Sequence, residues 1–182
     1  MRILHLTDKD YKTSQWSGGT TTELLIWPEG ADYAKREFQV RISSATVELA
    51  ESDFTPLQGV MRYITPLSGG FTLTHPGCEP VVMGPMDAPY RFSGETPTHC
   101  VGVATDFNLM LKGVEGEMRC AAGELVCARG MVAIFAPEAR MITVQAEKHA
   151  LAAGELLVVF TEDVSTLIDL GQENSLVCHT KI

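Results

Sequence analysis

Residues 38–47 read FQVRISSATV, and the alternation in that stretch decides the fold. Successive side chains of an extended chain point to opposite sides, so Phe38, Val40 and Ile42 share one face while Arg41 and Ser43 share the other. Similar short apolar or alternating runs recur about every 8 to 12 residues between Gly, Pro, Asp and Asn clusters, the pattern of antiparallel sandwiches and barrels. Helical periodicity is almost absent. The predicted strands are 3–6, 21–27, 39–47, 62–67, 71–75, 80–83, 100–107, 124–128, 132–135, 142–146, 156–160 and 175–179. Leu67-Ser68-Gly69-Gly70-Phe71 reads as a hairpin turn, because both glycines tolerate positive φ. Gly77, Pro80, Gly84, Pro85, Pro89, Gly94 and Pro97 cut the middle of the chain into pieces too short for helices. The segment TEDVSTLIDL, 161–170, stays open between a helical turn and a strand. Two rounds of strands in 182 residues fit a pair of small barrels or one barrel with a long decoration.

Composition excludes several classes. The chain has 45% hydrophobic and 20% charged residues with a mean hydropathy of +0.07, far from the composition of disordered chains. With 14 Lys+Arg against 23 Asp+Glu the net charge is −9, which repels nucleic acid and anionic membranes where no basic patch overrides it, and none is visible. No apolar run approaches the roughly 20 residues of a membrane span, and MRILHLTDKDYK has neither an apolar h-region nor a cleavage site, so a cytoplasmic protein is expected. The five cysteines, Cys78, Cys100, Cys120, Cys127 and Cys178, are scattered without a CxxC pair, as in a reduced compartment.

The residues that can carry chemistry are few. Arg41 stands midway along an alternating strand, either on the solvent face or inside a barrel facing a partner. Arg62 opens the next strand after the FTPLQGVM corner, and two guanidiniums of this kind can fork onto one carboxylate. The stretch WSGGTTTELLIWPEG, 16–30, is open to two readings. Gly18 and Gly19 with Thr20, Thr21 and Thr22 can admit an anion, or Trp16 is a core plug and the glycines a turn feeding a threonine-rich strand. No lysine follows the glycines and no helix pattern begins, so this is not a phosphate-binding P-loop. His5, His75, His99, His149 and His179 are isolated, without an HxH pair, and a metal is not expected. No GxSxG elbow offers a serine nucleophile. Asp106 and Asn108 share a face opposite Phe107 and Leu109; the plain reading is that they tie down a turn between lobes.

Five stretches in order and spacing resemble the HutD/Ves family of bacterial proteins: Trp16 with the glycine turn and Thr21-x-Glu23, Arg41-x-Ser43, Phe54 through Gly59 to Arg62 with residues 67–70, Phe92-Ser93-Gly94, and residues 106–110. The likeness runs in register over about residues 8 to 112. It departs at Ser17-Gly18, where the family has an asparagine in a longer loop, and at Val40, where it has an aromatic residue. The resemblance implies an all-β, cupin-like (RmlC-type) double β-barrel, a compact bicupin with lobes at about 1–107 and 108–182. It further implies a modulator of histidine utilisation that senses a small carboxylate, with urocanate and formylglutamate as candidates; a formate-like ligand, no cofactor and a homodimer are expected beside it.

On that reading Arg41 and Arg62 hold the carboxylate, Thr21, Glu23, Ser43 and Trp16 complete the wall, and Asn108 and Asp106 set the geometry. Two alternatives remain. One is an isomerase, lyase or hydrolase of a small acid with Glu23 or His99 as general base, and the other is a protein-interaction scaffold.

Overall fold

The computed structural model describes residues 1–162 and 165–182. Among them every regular element is a strand. In chain order these are β1 (Arg2–Leu6), β2 (Lys12–Trp16), β3 (Gly19–Trp27), β4 (Val40–Val47), β5 (Glu51–Asp53), β6 (Val60–Gly69) and β7 (Phe71–Thr74). Next come β8 (Val81–Met83), β9 (Tyr90–Ser93), β10 (His99–Val101), β11 (Ala104–Lys112), β12 (Glu115–Ala121) and β13 (Glu124–Cys127). The last are β14 (Gly130–Phe135), β15 (Arg140–Val144), β16 (Glu147–Leu151), β17 (Leu156–Thr161), β18 (Thr166–Asp169) and β19 (Ser175–Lys181). No helix is long and apolar enough to cross a membrane among the described residues.

The chain divides into two units, Lys12–Gly113 and Met1–Tyr11 with Val114–Ile182. Residue 107, where the sequence reading places the division, lies inside β11; the division instead follows Gly113, and the first strand belongs with the second half. In the Lys12–Gly113 unit a six-stranded sheet, β2-β3-β4-β11-β6-β9, accompanies a four-stranded one, β5-β10-β7-β8. Ile64 and Phe92 of the first pack with Phe71, Leu73, Met83 and Cys100 of the second. In the other unit a five-stranded sheet, β1-β17-β14-β19-β12, accompanies β13-β18-β15-β16. Val132, Ile134, Leu157, Val159 and Val177 meet Ile142, Val144 and Ile168 there in a filled apolar core. Each such side chain, fully buried, contributes about 1.5–3 kcal/mol through the hydrophobic effect.

Two expectations are corrected. Residues 67–71 do not form a hairpin: β6 pairs with β11 and β9, while β7 pairs with β10 and β8, so the chain crosses between sheets at Gly69-Gly70. The predicted strand 100–107 is likewise two strands, β10 and β11, interrupted at Gly102 and Val103. The reason is shared. The two crossings run side by side, with Gly70 N–H donating to Val103 O, and a Cβ at Gly69 or Gly102 would strike the neighbouring backbone. Glycine here permits close backbone approach between strands of different sheets rather than reversal within one. The open stretch 161–170 supplies β18; its residues 163 and 164 lie outside the described residues.

The stretch beginning at Trp16 is a tight turn between paired β2 and β3, with Trp16 in register with Gly19. A Cβ at Gly18 would meet the Trp16 ring, and one at Gly19, where φ is +148°, would collide with Thr46 O on β4. The glycines therefore hold an indole and a neighbouring strand.

A cationic cavity in the Lys12–Gly113 unit

Register assembles the site. Met110 of β11 is opposite Arg41 of β4 on one side and opposite Arg62 of β6 on the other. Adjacent strands lie about 4.8 Å apart, so the two arginines are level on one sheet face, roughly 10 Å apart at their Cα atoms. Two residues along, Asn108 is opposite Ser43, and two further, Asp106 is opposite Ala45. On β3, Glu23 is opposite Ser43 and Thr21 opposite Ala45; a register shift between Glu23 and Leu25 ends this alignment. A second shift between Thr105 and Asp106 marks the β11–β6 pairing. Bulges of this kind re-aim side chains at sheet rims and sites.

This face lines a cavity of about 570 Å³. Arg41, Ser43, Arg62, Asp106 and Asn108 are buried, whereas Trp16 is 42% exposed, so the polar groups form the floor and the indole the rim. Trp16 is thus no core plug. Thr21 also lines the cavity. Glu23 does not line it, but its Oε2 accepts from Arg41 Nε at 2.7 Å. Of the eight residues expected from sequence, seven come together around one cavity and the eighth grips one of the seven.

The hydrogen bonds are directional. Arg41 Nη1 donates to Ser43 Oγ at 3.2 Å, so Glu23 and Ser43 fix this guanidinium. Arg62 Nη2 donates to Asn108 Oδ1 at 3.3 Å, and Asn108 Nδ2 donates to Asp106 Oδ1 at 2.5 Å. Ala45 N–H also donates to Asp106 Oδ1, at 3.2 Å. The amide orientation of Asn108 follows, since the reverse would turn its NH₂ toward the guanidinium and its oxygen toward the carboxylate. Arg62 Nε is buried and has no hydrogen-bond partner.

Aromatic rings replace water around the cations. Arg41 Cζ lies 3.9 Å from the Tyr33 ring centroid, and Arg62 Cζ lies 4.5 Å from that of Phe54 and 5.3 Å from that of Phe92. Such contacts hold a desolvated guanidinium in place. Burial lowers the Arg62 guanidinium from its ordinary value, with Asp106 acting against that effect. Burial also pushes the Asp106 carboxyl up to about 7, against the Ala45 and Asn108 hydrogen bonds and the charge of Arg62.

Sequence reasoning missed Tyr33, Phe54 and Met110 as cavity residues and Phe92 as a cation support. Phe54 and Phe92 stand in the family-like stretches, which was a usable signal; Tyr33 had none. His99 does not join the arginines. Its Nδ1 is 2.8 Å from Asp53 Oδ1, and it lines a second cavity of about 620 Å³ with His75 and Pro97, which has Asp53 and Phe54 in common with the first. Among the described residues no three His, Cys, Asp or Glu side chains are grouped so as to hold a metal.

Sheet order and neighbours define the class as a cupin-like all-β protein with a buried cationic cavity. The HutD family model matches residues 8–177, and the chain belongs to the HutD family, which is linked to histidine utilisation. A conserved protein of unknown function from Pseudomonas aeruginosa is similar over 100% of this chain and 98% of its own, at 24% identity and a TM-score of 0.84. HutD from Pseudomonas fluorescens, solved in a formate condition, is similar over 99% and 98% at 22% identity and a TM-score of 0.81. The pirin YhhW of Escherichia coli, solved with nickel(II), shares the fold at 10% identity, 98% coverage of each chain and a TM-score of 0.66. No curated protein gives a significant match to the chain.

Proposed function

We propose that this protein binds a small carboxylate metabolite in the arginine cavity, without a metal, and thereby modulates histidine utilisation. The observation that carries the proposal is Arg62: a 7% exposed cation in the wall of a cavity, hydrogen-bonded to the neutral Asn108 amide. A charged hydrogen bond from such a guanidinium to a carboxylate oxygen contributes about 1.5–3 kcal/mol, and the forked N–H groups match a carboxylate in shape. Arg41, whose charge Glu23 balances and whose orientation Glu23 and Ser43 fix, lines the same space and adds a second guanidinium donor. Family membership and the formate condition of the Pseudomonas fluorescens relative agree with an acid as ligand. An enzymatic role finds less support, because Glu23 is engaged by Arg41 and His99 is not among the residues lining the arginine cavity.

Thermal unfolding with urocanate, formylglutamate and formate tests the reading. At a hundredfold excess over Kd a ligand adds about 2.7 kcal/mol, which raises Tm by roughly 5–10 °C for a chain of this size. Arg41→Ala should lose that rise. No shift of the parent protein with any of the three acids would overturn the proposal.

A further inference from the structure

Resting on the carboxylate reading, we infer that Asp106 sets the charge class of the ligand: the cavity accepts a monoanion together with one proton, and discriminates against dianions. The charges on the cavity face support this. Glu23 neutralises Arg41 at 2.7 Å, which leaves Arg62 as the remaining cation and Asp106 as the acid linked to it through Asn108. With Asp106 ionised these four groups sum to zero, and an incoming carboxylate would be a buried uncompensated charge. With Asp106 protonated they sum to +1, which one carboxylate cancels. Burying an unpaired charge is the costlier alternative, so ligand and proton enter together.

The geometry gives the proton a place. Asp106 Oδ1 accepts from both Ala45 N–H and Asn108 Nδ2, leaving Oδ2 to carry a proton taken from solvent. Other ionisable groups facing this region are Tyr33, stacked on Arg41, Cys100, which feels the Asp106 charge, and Asp53 at the exposed rim. None is a further buried cation able to take a second carboxylate. Because the free carboxyl sits at about 7, proton uptake is least at acid pH and grows above neutrality. An anion bound beside Asp106 raises its value further, so affinity is full below that point and falls as pH rises through it.

Isothermal titration with urocanate, in buffers of different ionisation heat, reads both quantities. Between about pH 7 and 9 the ligand imidazole stays neutral and its charge constant. The expected result is an affinity falling by up to about tenfold per pH unit, with uptake approaching one proton per ligand. Formylglutamate, a dianion, should bind at least about tenfold more weakly than urocanate at about pH 7. In Asp106→Asn the pH slope and the proton uptake both vanish. A flat profile without uptake in the parent protein, or formylglutamate binding as tightly as urocanate, would overturn the inference, whether or not the variant folds. If no acid binds at any pH, the carboxylate reading itself fails, and this inference with it.

Discussion

At the residue scale, Asn108 is the hinge of the charge arrangement, because one amide serves a cation with its oxygen and an acid with its nitrogen. Arg62 depends on more than charge. Its planar fork reaches Asn108 while its face packs on Phe54 and Phe92, and a lysine keeps neither geometry. Arg62→Lys should therefore weaken binding of urocanate by roughly 10- to 150-fold, the equivalent of one charged hydrogen bond of about 1.5–3 kcal/mol; titration calorimetry would show it, and unchanged affinity would remove Arg62 from the site. Parity along strands made much of this legible. Arg41 with Ser43, and Asp106 with Asn108, follow from period-two alternation alone, because each pair sits on one strand. Tyr33 and Phe54 stand outside strands, where no periodicity tells which way a ring points.

At the element scale, the apolar strands were readable, the polar or short strands β2, β5, β9, β12 and β16 were not, and neither was strand partnership. The glycines at 69, 70 and 102 look like turn residues in sequence, and only the pairing shows that they let two inter-sheet crossings run side by side. β2 was invisible for another reason: every residue of KTSQW is exposed, with no apolar face to alternate against. The β2–β3 turn offers a direct check. Gly19→Ala forces a side chain onto Thr46 O at a φ of +148°, whereas Gly113→Ala meets open space at a φ of +71°. Gly19→Ala should lower stability by roughly 1–3 kcal/mol more than Gly113→Ala in urea denaturation. Equal losses would show that the approach of β4 makes no special demand for glycine there.

At the scale of the whole molecule, the buried acid links stability to pH. The Asp106 carboxyl lies at about 7 in the folded protein against an ordinary 3.8, so between those values the native state keeps a proton that the unfolded chain has released. Its contribution is complete below the lower value and is lost as pH rises toward the upper one. Asp106→Asn retains an acceptor for Ala45 N–H and Asn108 while removing the charge. Without ligand, the variant should raise Tm by several degrees at about pH 8, on a scale of roughly 2–4 °C per kcal/mol, and leave it nearly unchanged at about pH 4. An identical shift at both pH values would mean that the carboxyl is ionised throughout. The two-unit division was only half legible, because the glycine-punctuated rhythm counts strands without saying which distant strand the first one joins. Arg2–Leu6 pairs with residues 156–160, so it is synthesised long before its partner strand. Completion of residues 12–113 therefore leaves the five-stranded sheet open at that edge until the later strand emerges.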